Sequence, residues 1–483
     1  MSPAGPPETL LPDDQGPNPL PAARRDAAGR LHFDAAAFAA LAWPLILNNS
    51  LQALLNLTDT WFISRISPTA TAGVGVVHWL ILAVTLLVGG VAMCVQTFVA
   101  QEYGGGHYRR AGQSAWAGVW ASLATAPLFL ALALSSPWLL APFGLPTPVT
   151  DVAHEYWFPR MLGEPLGLAL WALLGFLNGI GRTRTSLVAG VVVLSANAGL
   201  NPLFMFTFGL GVAGAAWATN LAQLIGLGTV LALLLTPAYR RRYAFHLTWR
   251  PRLAGLRRHF TLGLPMGLVA SADLLGGALF QLLITKTGTV GGAATQVVFM
   301  LTSLCYLPGL GFASAGTTLV GQAIGAGNKD WAARLGNLTI LISAGYMGTM
   351  GLLLAALGPW LMPLFVNTTA PEGAAVVALG VQVLWLSALY QFFDGLNFGS
   401  SFCLRGAGDV KVPALLVAVL GWGFWIPATH ILTFGPGEGL VDFLPALGLG
   451  AAGGWLAIVT YVMLLGISMF WRWRSGAWRR IKL

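Results

Sequence analysis

The chain has 483 residues, 56% of them hydrophobic and only 9% charged, with a formal net charge of +9. A water-facing surface needs about a quarter of its residues charged, so 26 basic and 17 acidic side chains cannot solvate a globular protein of this length. A cytosolic enzyme, a disordered chain and a secreted scaffold are excluded, and an integral membrane protein remains.

Residues 1–33 are rich in Pro, Ala and acid and hold no apolar core of signal-peptide length. They read as a flexible cytoplasmic tail. Apolar stretches of the roughly 20 residues that a helix needs to cross hydrocarbon then recur. They lie near 37–63, 71–100, 113–135, 151–177, 185–208, 212–236, 260–285, 292–322, 335–357, 374–402, 412–434 and 448–471. The stretches are continuous rather than alternating, which favours helices over a barrel. The expected architecture is all-α, with twelve transmembrane helices in two six-helix bundles. An N-lobe occupies 34–236, an Arg-rich cytoplasmic linker 237–259, a C-lobe 260–472 and a basic cytoplasmic tail 473–483.

All but Arg65, Arg160 and Lys286 of the 26 Lys and Arg residues fall in the N-terminal tail, the C-terminus or alternate loops. The positive-inside rule assigns that face, and with it both termini, to the cytoplasm. The basic excess is thus explained by topology in the cytoplasmic membrane and not by nucleic-acid binding.

On the first helix Asn49, Gln52, Asn56 and Asp59 follow steps of 3, 4 and 3 and share one face. Such a face suits a cavity wall, although Asp59 near the helix end could also be interfacial. In the fourth helix Glu164 follows Arg160 by four residues, the spacing of an internal ion pair. Asp273 sits mid-way along the seventh helix, with Gly276, Gly277 and Gln281 beyond it. In the tenth, Ser387, Tyr390, Gln391, Asp394, Asn397 and Ser401 share a face rich in acceptor oxygens. An acid at helix centre costs roughly 2.5–3.5 kcal/mol on insertion scales, so Asp59, Glu164, Asp273 and Asp394 need a wet cavity or a partner. The cysteines Cys94, Cys305 and Cys403 lie within apolar segments without metal-ligand spacing. The chain contains no GxxxxGK[ST], HExxH or GxSxG, so neither ATP drive nor the corresponding enzymes are expected.

A gapless shift of 221 residues aligns the two halves. Pro44 falls on Pro265, and Gln101-Glu102-Tyr103-Gly104-Gly105-Gly106 falls on Gln322-Ala323-Ile324-Gly325-Ala326-Gly327. At a shift of 227, Gly179-Ile180-Gly181-Arg182-Thr183-Arg184 falls on Gly406-Ala407-Gly408-Asp409-Val410-Lys411. An even number of helices per half makes these parallel repeats about an axis along the membrane normal, an arrangement suited to alternating access.

Four segments in order resemble the multidrug and toxic compound extrusion (MATE) family over about residues 37–470. They are Asp59-Thr60, Gly211–Thr219, Gly321–Gly327 and Arg405–Lys411. The resemblance implies a V-shaped fold and export of amphipathic cationic drugs and toxins in exchange for Na⁺ or H⁺, with no cofactor beyond the coupling ion. It implies a coupling carboxylate at Asp59. By likeness to the NorM branch it implies a second site at Asp273, Tyr390 and Asp394, where Na⁺ could bind at the two acids. Asp273 stands where that branch commonly has Glu, and Val410 where it has Thr. Asn49, Gln52, Asn56, Gln281, Gln391 and Asn397 are the expected substrate-cavity residues, with Arg160 and Glu164 in a secondary role. A monomer in the bilayer is expected. The rival readings are a lipid-linked oligosaccharide flippase and a membrane-embedded enzyme.

Overall fold

The computed structural model describes residues 18–481 apart from 28, 145, 368–370, 440 and 442–443. Among the described residues twelve helices are long and apolar enough to cross a membrane. In the N-terminal half they are α1 (Ala35–Ser64), α2 (Pro68–Gly104), α3 (Tyr108–Leu134), α4 (Thr147–Gly179), α5 (Thr183–Thr207) and α6 (Gly211–Leu234). In the C-terminal half they are α7 (Leu253–Lys286), α8 (Thr289–Gly325), α9 (Lys329–Phe365), α10 (Gly373–Gly406), α11 (Lys411–Thr433) and α12 (Gly450–Arg474). All twelve expected spans are present, and most are longer, because helices run on into polar turns that hydropathy alone does not score. Their starts follow local chemistry. Asp34 caps α1 by accepting from Ala37 N at 3.0 Å, and Ser67 caps α2 from Ala70 N ahead of Pro68. Asn328 accepts from Trp331 N at 2.8 Å to start α9.

Among the described residues two large hydrophobic cores form, one per half, with a small third where the halves meet, but the first helix of each half leans across. Phe38, Ala42 and Leu45 of α1 belong to the core of the C-terminal half, whereas Leu55 and Ile63 belong to that of the N-terminal half. Conversely, Leu256 and Phe260 of α7 pack against the N-terminal core. The helices α1 and α7 thus each pack against both cores.

The loops bearing the basic residues meet at one end of the bundle, here the basic end. There the twin motifs of the repeat face each other. The Gln101 side-chain amide donates to Gly406 O at 2.9 Å, and its repeat partner Gln322 donates to Gly179 O at 2.8 Å. Thr97 donates to Arg405 O at 3.1 Å, and Thr318 to Asn178 O at 3.0 Å. The backbones approach so closely that a Cβ on Gly104 would lie 2.0 Å from Gln322 O, and one on Gly325 would lie 1.9 Å from Gln101 O. Among the described residues, the hydrogen bonds across the seam run from Asn49–Leu307, at mid-helix, to this end. Further along α1, Gln52 and Asn56 are exposed. The structure is closed at the basic end.

Gly325→Ala is expected to weaken that closure by about 1–3 kcal/mol, the usual range for overpacking. Hydrogen exchange in segments 97–106 and 318–327 should rise accordingly; unchanged exchange would show that the close approach is dispensable.

Residues 18–27 and 29–33 do not form the flexible tail read from composition. Strands β1 (Ala23–Arg25) and β2 (Leu31–Phe33) pair antiparallel, with Arg24 opposite His32. Asn18 N donates to Gly104 O, and Tyr108 OH donates to Asn18 Oδ1 at 2.6 Å. Trp331 Nε1 donates to Pro21 O at 2.9 Å, and Arg334 to Leu31 O at 3.3 Å. These long-range partners could not be read from the segment itself. Residues 1–17 lie outside the described residues. The C-terminal segment also docks: Trp478 stacks on Trp473 with centroids 4.6 Å apart, and Arg479 pairs with Asp330 at 2.8 Å.

Candidate functional site

The polar stripe of α1 meets α2, α4, α5 and α6 around a cavity of 210 Å³. Gln52, Asn56, Asp59, Arg160 and Glu164 line it together with His78, Tyr156, Thr219 and Gln223. Asp59 is 8% exposed. Asn201 of α5 donates to one carboxylate oxygen at 2.8 Å, and Thr219 of α6 lies 3.1 Å from the other. Asn197 supports both: its amide donates to Thr219 Oγ1, and its carbonyl accepts from Asn201, each at 3.1 Å. Arg160 and Glu164 form the expected i,i+4 ion pair at 2.7 Å, with the Glu164 side chain 2% exposed.

The Thr219 hydroxyl has one proton and two acceptors in reach, Ala215 O at 2.9 Å and the Asp59 carboxylate. With Asp59 ionised, that proton serves the carboxylate. With Asp59 protonated, the acid can donate to Thr219 Oγ1 while Thr219 turns to Ala215 O. The network therefore satisfies both charge states without moving a helix.

In the C-terminal half Asp273 accepts from Tyr461 OH at 3.1 Å, and Tyr461 stacks on Trp425 with centroids 4.8 Å apart. Asn397 donates to Asp394 at 3.4 Å. Both acids are half-buried and lie near one another and near Tyr306, and Tyr390 stands one turn before Asp394 on α10. Asp273, Tyr390, Asp394 and Asn397 are thus brought into one neighbourhood. Three expected cavity residues are not. Asn49 reaches across to Leu307 O on α8 at 3.5 Å. Gln281 bridges to Gly292 O at 3.1 Å and ties α7 to α8. Gln391 is 1% exposed and packs on α9 at Gly351. Among the described residues no group of three or more His, Cys, Asp or Glu side chains is placed to hold a metal ion.

The sequence profile of the MatE family matches residues 44–203 and again 265–428, starting at the repeat prolines Pro44 and Pro265. The chain belongs to the MatE family. A probable multidrug resistance protein NorM of Pseudomonas putida is 32% identical over 422 residues, covering 85% of this chain and 90% of that protein. One of the same name from Deinococcus radiodurans is 30% identical over 450 residues, covering 90% and 95%. A crystal structure of MATE in complex with MaL6 superposes with a TM-score of 0.80 at 21% identity, over 92% of this chain and 97% of that one. The fold is therefore that of a MATE protein: a twelve-helix membrane transporter and not an enzyme.

Within this MATE fold, sequence reasoning missed Asn197, Asn201 and Thr219. A signal existed, since Asn197 and Asn201 are four residues apart in an otherwise apolar helix and so share a face. His78 gave none, being a single polar residue in a long apolar run, and Tyr156 is one of several polar residues in the segment 151–160, with nothing to set it apart.

Proposed function

We propose that the chain is a secondary-active multidrug efflux transporter of the cytoplasmic membrane, exporting amphipathic organic cations in exchange for H⁺ or Na⁺. The observation that carries this reading is Asp59, a carboxylate held by α5 and α6 beside a cavity at the wall of the N-terminal lobe. The cavity's 210 Å³ is below the range of about 300–1,000 Å³ typical of drug sites. In this closed-basic-end state it suits an ion with its waters. A protonation switch at Asp59 fits the two hydrogen-bond arrangements open to Thr219. Asp273 and Asp394, with Tyr390 nearby, form a second candidate site for the coupling ion, Na⁺ included. Gln52, Asn56 and Asn397 would contact substrate as the lobes rearrange. Arg160 and Glu164 shape the field around Asp59.

In this reading the basic end faces the cytoplasm with both termini, the protein acts as a monomer, and the coupling ion replaces any cofactor. The cavity's two carboxylates against one guanidinium suit a cation better than the pyrophosphate of a lipid-linked oligosaccharide. Purified protein in proteoliposomes should move ethidium uphill only when a pH or Na⁺ gradient is imposed. Imposing the gradients separately identifies the ion, and ethidium transport indifferent to both would sink antiport.

A further inference from the structure

Away from the carboxylates, a cleft of 990 Å³ opens at the basic end between α2, the start of α7, the start of α11 and the end of α12. Its cations are Arg257, Arg258, Lys411 and Arg472, against a single carboxylate, Asp409. That carboxylate is already taken: Arg472 holds it at 2.8 Å, and the Asp409 side chain is 3% exposed. Arg258 lies 4.0 Å over the Phe98 ring and 3.4 Å from Glu102. Arg257 and Lys411 remain exposed, with no ion-pair partner among the described residues. A second basic hollow lined by Arg110, Arg250 and Arg252 adjoins it through Ala254 and Arg258.

Topology alone accounts for positive charge at this end, but not for its concentration in a cleft with apolar walls. Phe98, Leu253, Leu262, Val410 and Val412 line the same space. Cys94, Phe98, Met266 and Val410 form a small core beneath it, where the two halves meet. Leu253 is 82% exposed, and Trp249 and Trp471 are 47% and 73% exposed at the same end. Exposed aromatics of this kind mark the headgroup level of a bilayer. A cleft there that pairs free cations with apolar walls is complementary to a molecule bearing a phosphate and an acyl chain. Basic pockets between helices on this side recognise lipid headgroups by the same physics.

We propose that this cleft binds the phosphate headgroup of an anionic phospholipid from the leaflet at the basic end, with Arg257 and Lys411 as its phosphate ligands. The lipid bridges the first turn of α7 to α11 and α12, beside the seam formed by the repeat motifs.

The test is native mass spectrometry of the full-length protein released from detergent, with palmitoyl-oleoyl-phosphatidylglycerol added in steps. Wild type should retain one lipid more tightly than the rest. Arg257→Ala with Lys411→Ala should weaken that adduct about 30-fold, or ~1 kcal/mol per cation near a charged surface. Arg240→Ala with Arg241→Ala, which removes two linker cations outside the cleft, should leave it unchanged. Arg257→Lys with Lys411→Arg keeps both charges and should retain it. The proposal fails if the cleft variant binds as wild type does, if the linker variant loses as much, or if the charge-conserving variant loses the lipid. Displacement of the lipid by excess inorganic phosphate would assign the cleft to free phosphate and overturn the membrane source.

Discussion

Replacing Asp59 by Asn is expected to abolish ion-coupled accumulation while leaving the fold intact. One charge moving down 100 mV supplies roughly 2.3 kcal/mol, enough for a gradient of about 50-fold. In the variant that ratio should fall to parity, because Asn cannot exchange a proton or hold a cation by charge. The structure makes the substitution well tolerated. Asn201 can still donate to the side-chain oxygen, and Thr219 can accept from the new amide while donating to Ala215 O. Ethidium efflux from a sensitive host and flux into proteoliposomes both read the effect. Uphill transport preserved in Asp59→Asn but lost in Asp273→Asn or Asp394→Asn would move coupling to the C-terminal lobe. Preservation in all three would remove the carboxylates from the mechanism.

Arg160→Ala is expected to destabilise the protein by about 3–5 kcal/mol, the range for leaving one partner of a buried pair uncompensated. The Glu164 side chain is 2% exposed and sits 2.7 Å from the guanidinium. Removing that cation strands an acid in the wall of the cavity. Replacing both residues by Met should restore most of the loss, since the desolvation of two charges disappears together. Denaturant titration in detergent measures both variants. An Arg160→Ala protein as stable as wild type would mean that Glu164 is solvated by other means. A double variant no better than the single would mean that the pair contributes more than mutual neutralisation.

The twelve spans were legible in the sequence because insertion leaves a coarse signature. Each crossing needs a long apolar run, and the alternation of Arg-bearing loops fixes the parity of the count. The repeat was legible too, and its meaning emerged in space: Gln101 and Gln322, aligned by a shift of 221, each grip the other half's glycine motif. The N-terminal site was half legible. The spacing of Asn49, Gln52, Asn56 and Asp59 identified one face of α1, but a helix turns that face past several neighbours along its length. Its outer part, Gln52 to Asp59, meets the cavity, whereas Asn49 meets α8. The same ambiguity governs Gln391, on the face of Asp394 by periodicity yet turned onto α9. Spacing defines which residues lie together on a helix, and only packing defines what they look at.

The strand pair β1–β2, with the segment from Asn18 ahead of it, gives the molecule a leash. Its N-terminal anchor, Asn18, is held by Gly104 and Tyr108, and its next anchor, Pro21, is held by Trp331 in the other half. Three residues of extended chain reach about 10 Å. Lobes that part further than this at the basic end must tear one anchor free. The opposite end bears no such fastener among the described residues, so in the proposed alternating-access cycle the two directions of rocking are unequal. In that reading the N-terminal hairpin sets a threshold on one half of the cycle that neither bundle could impose alone.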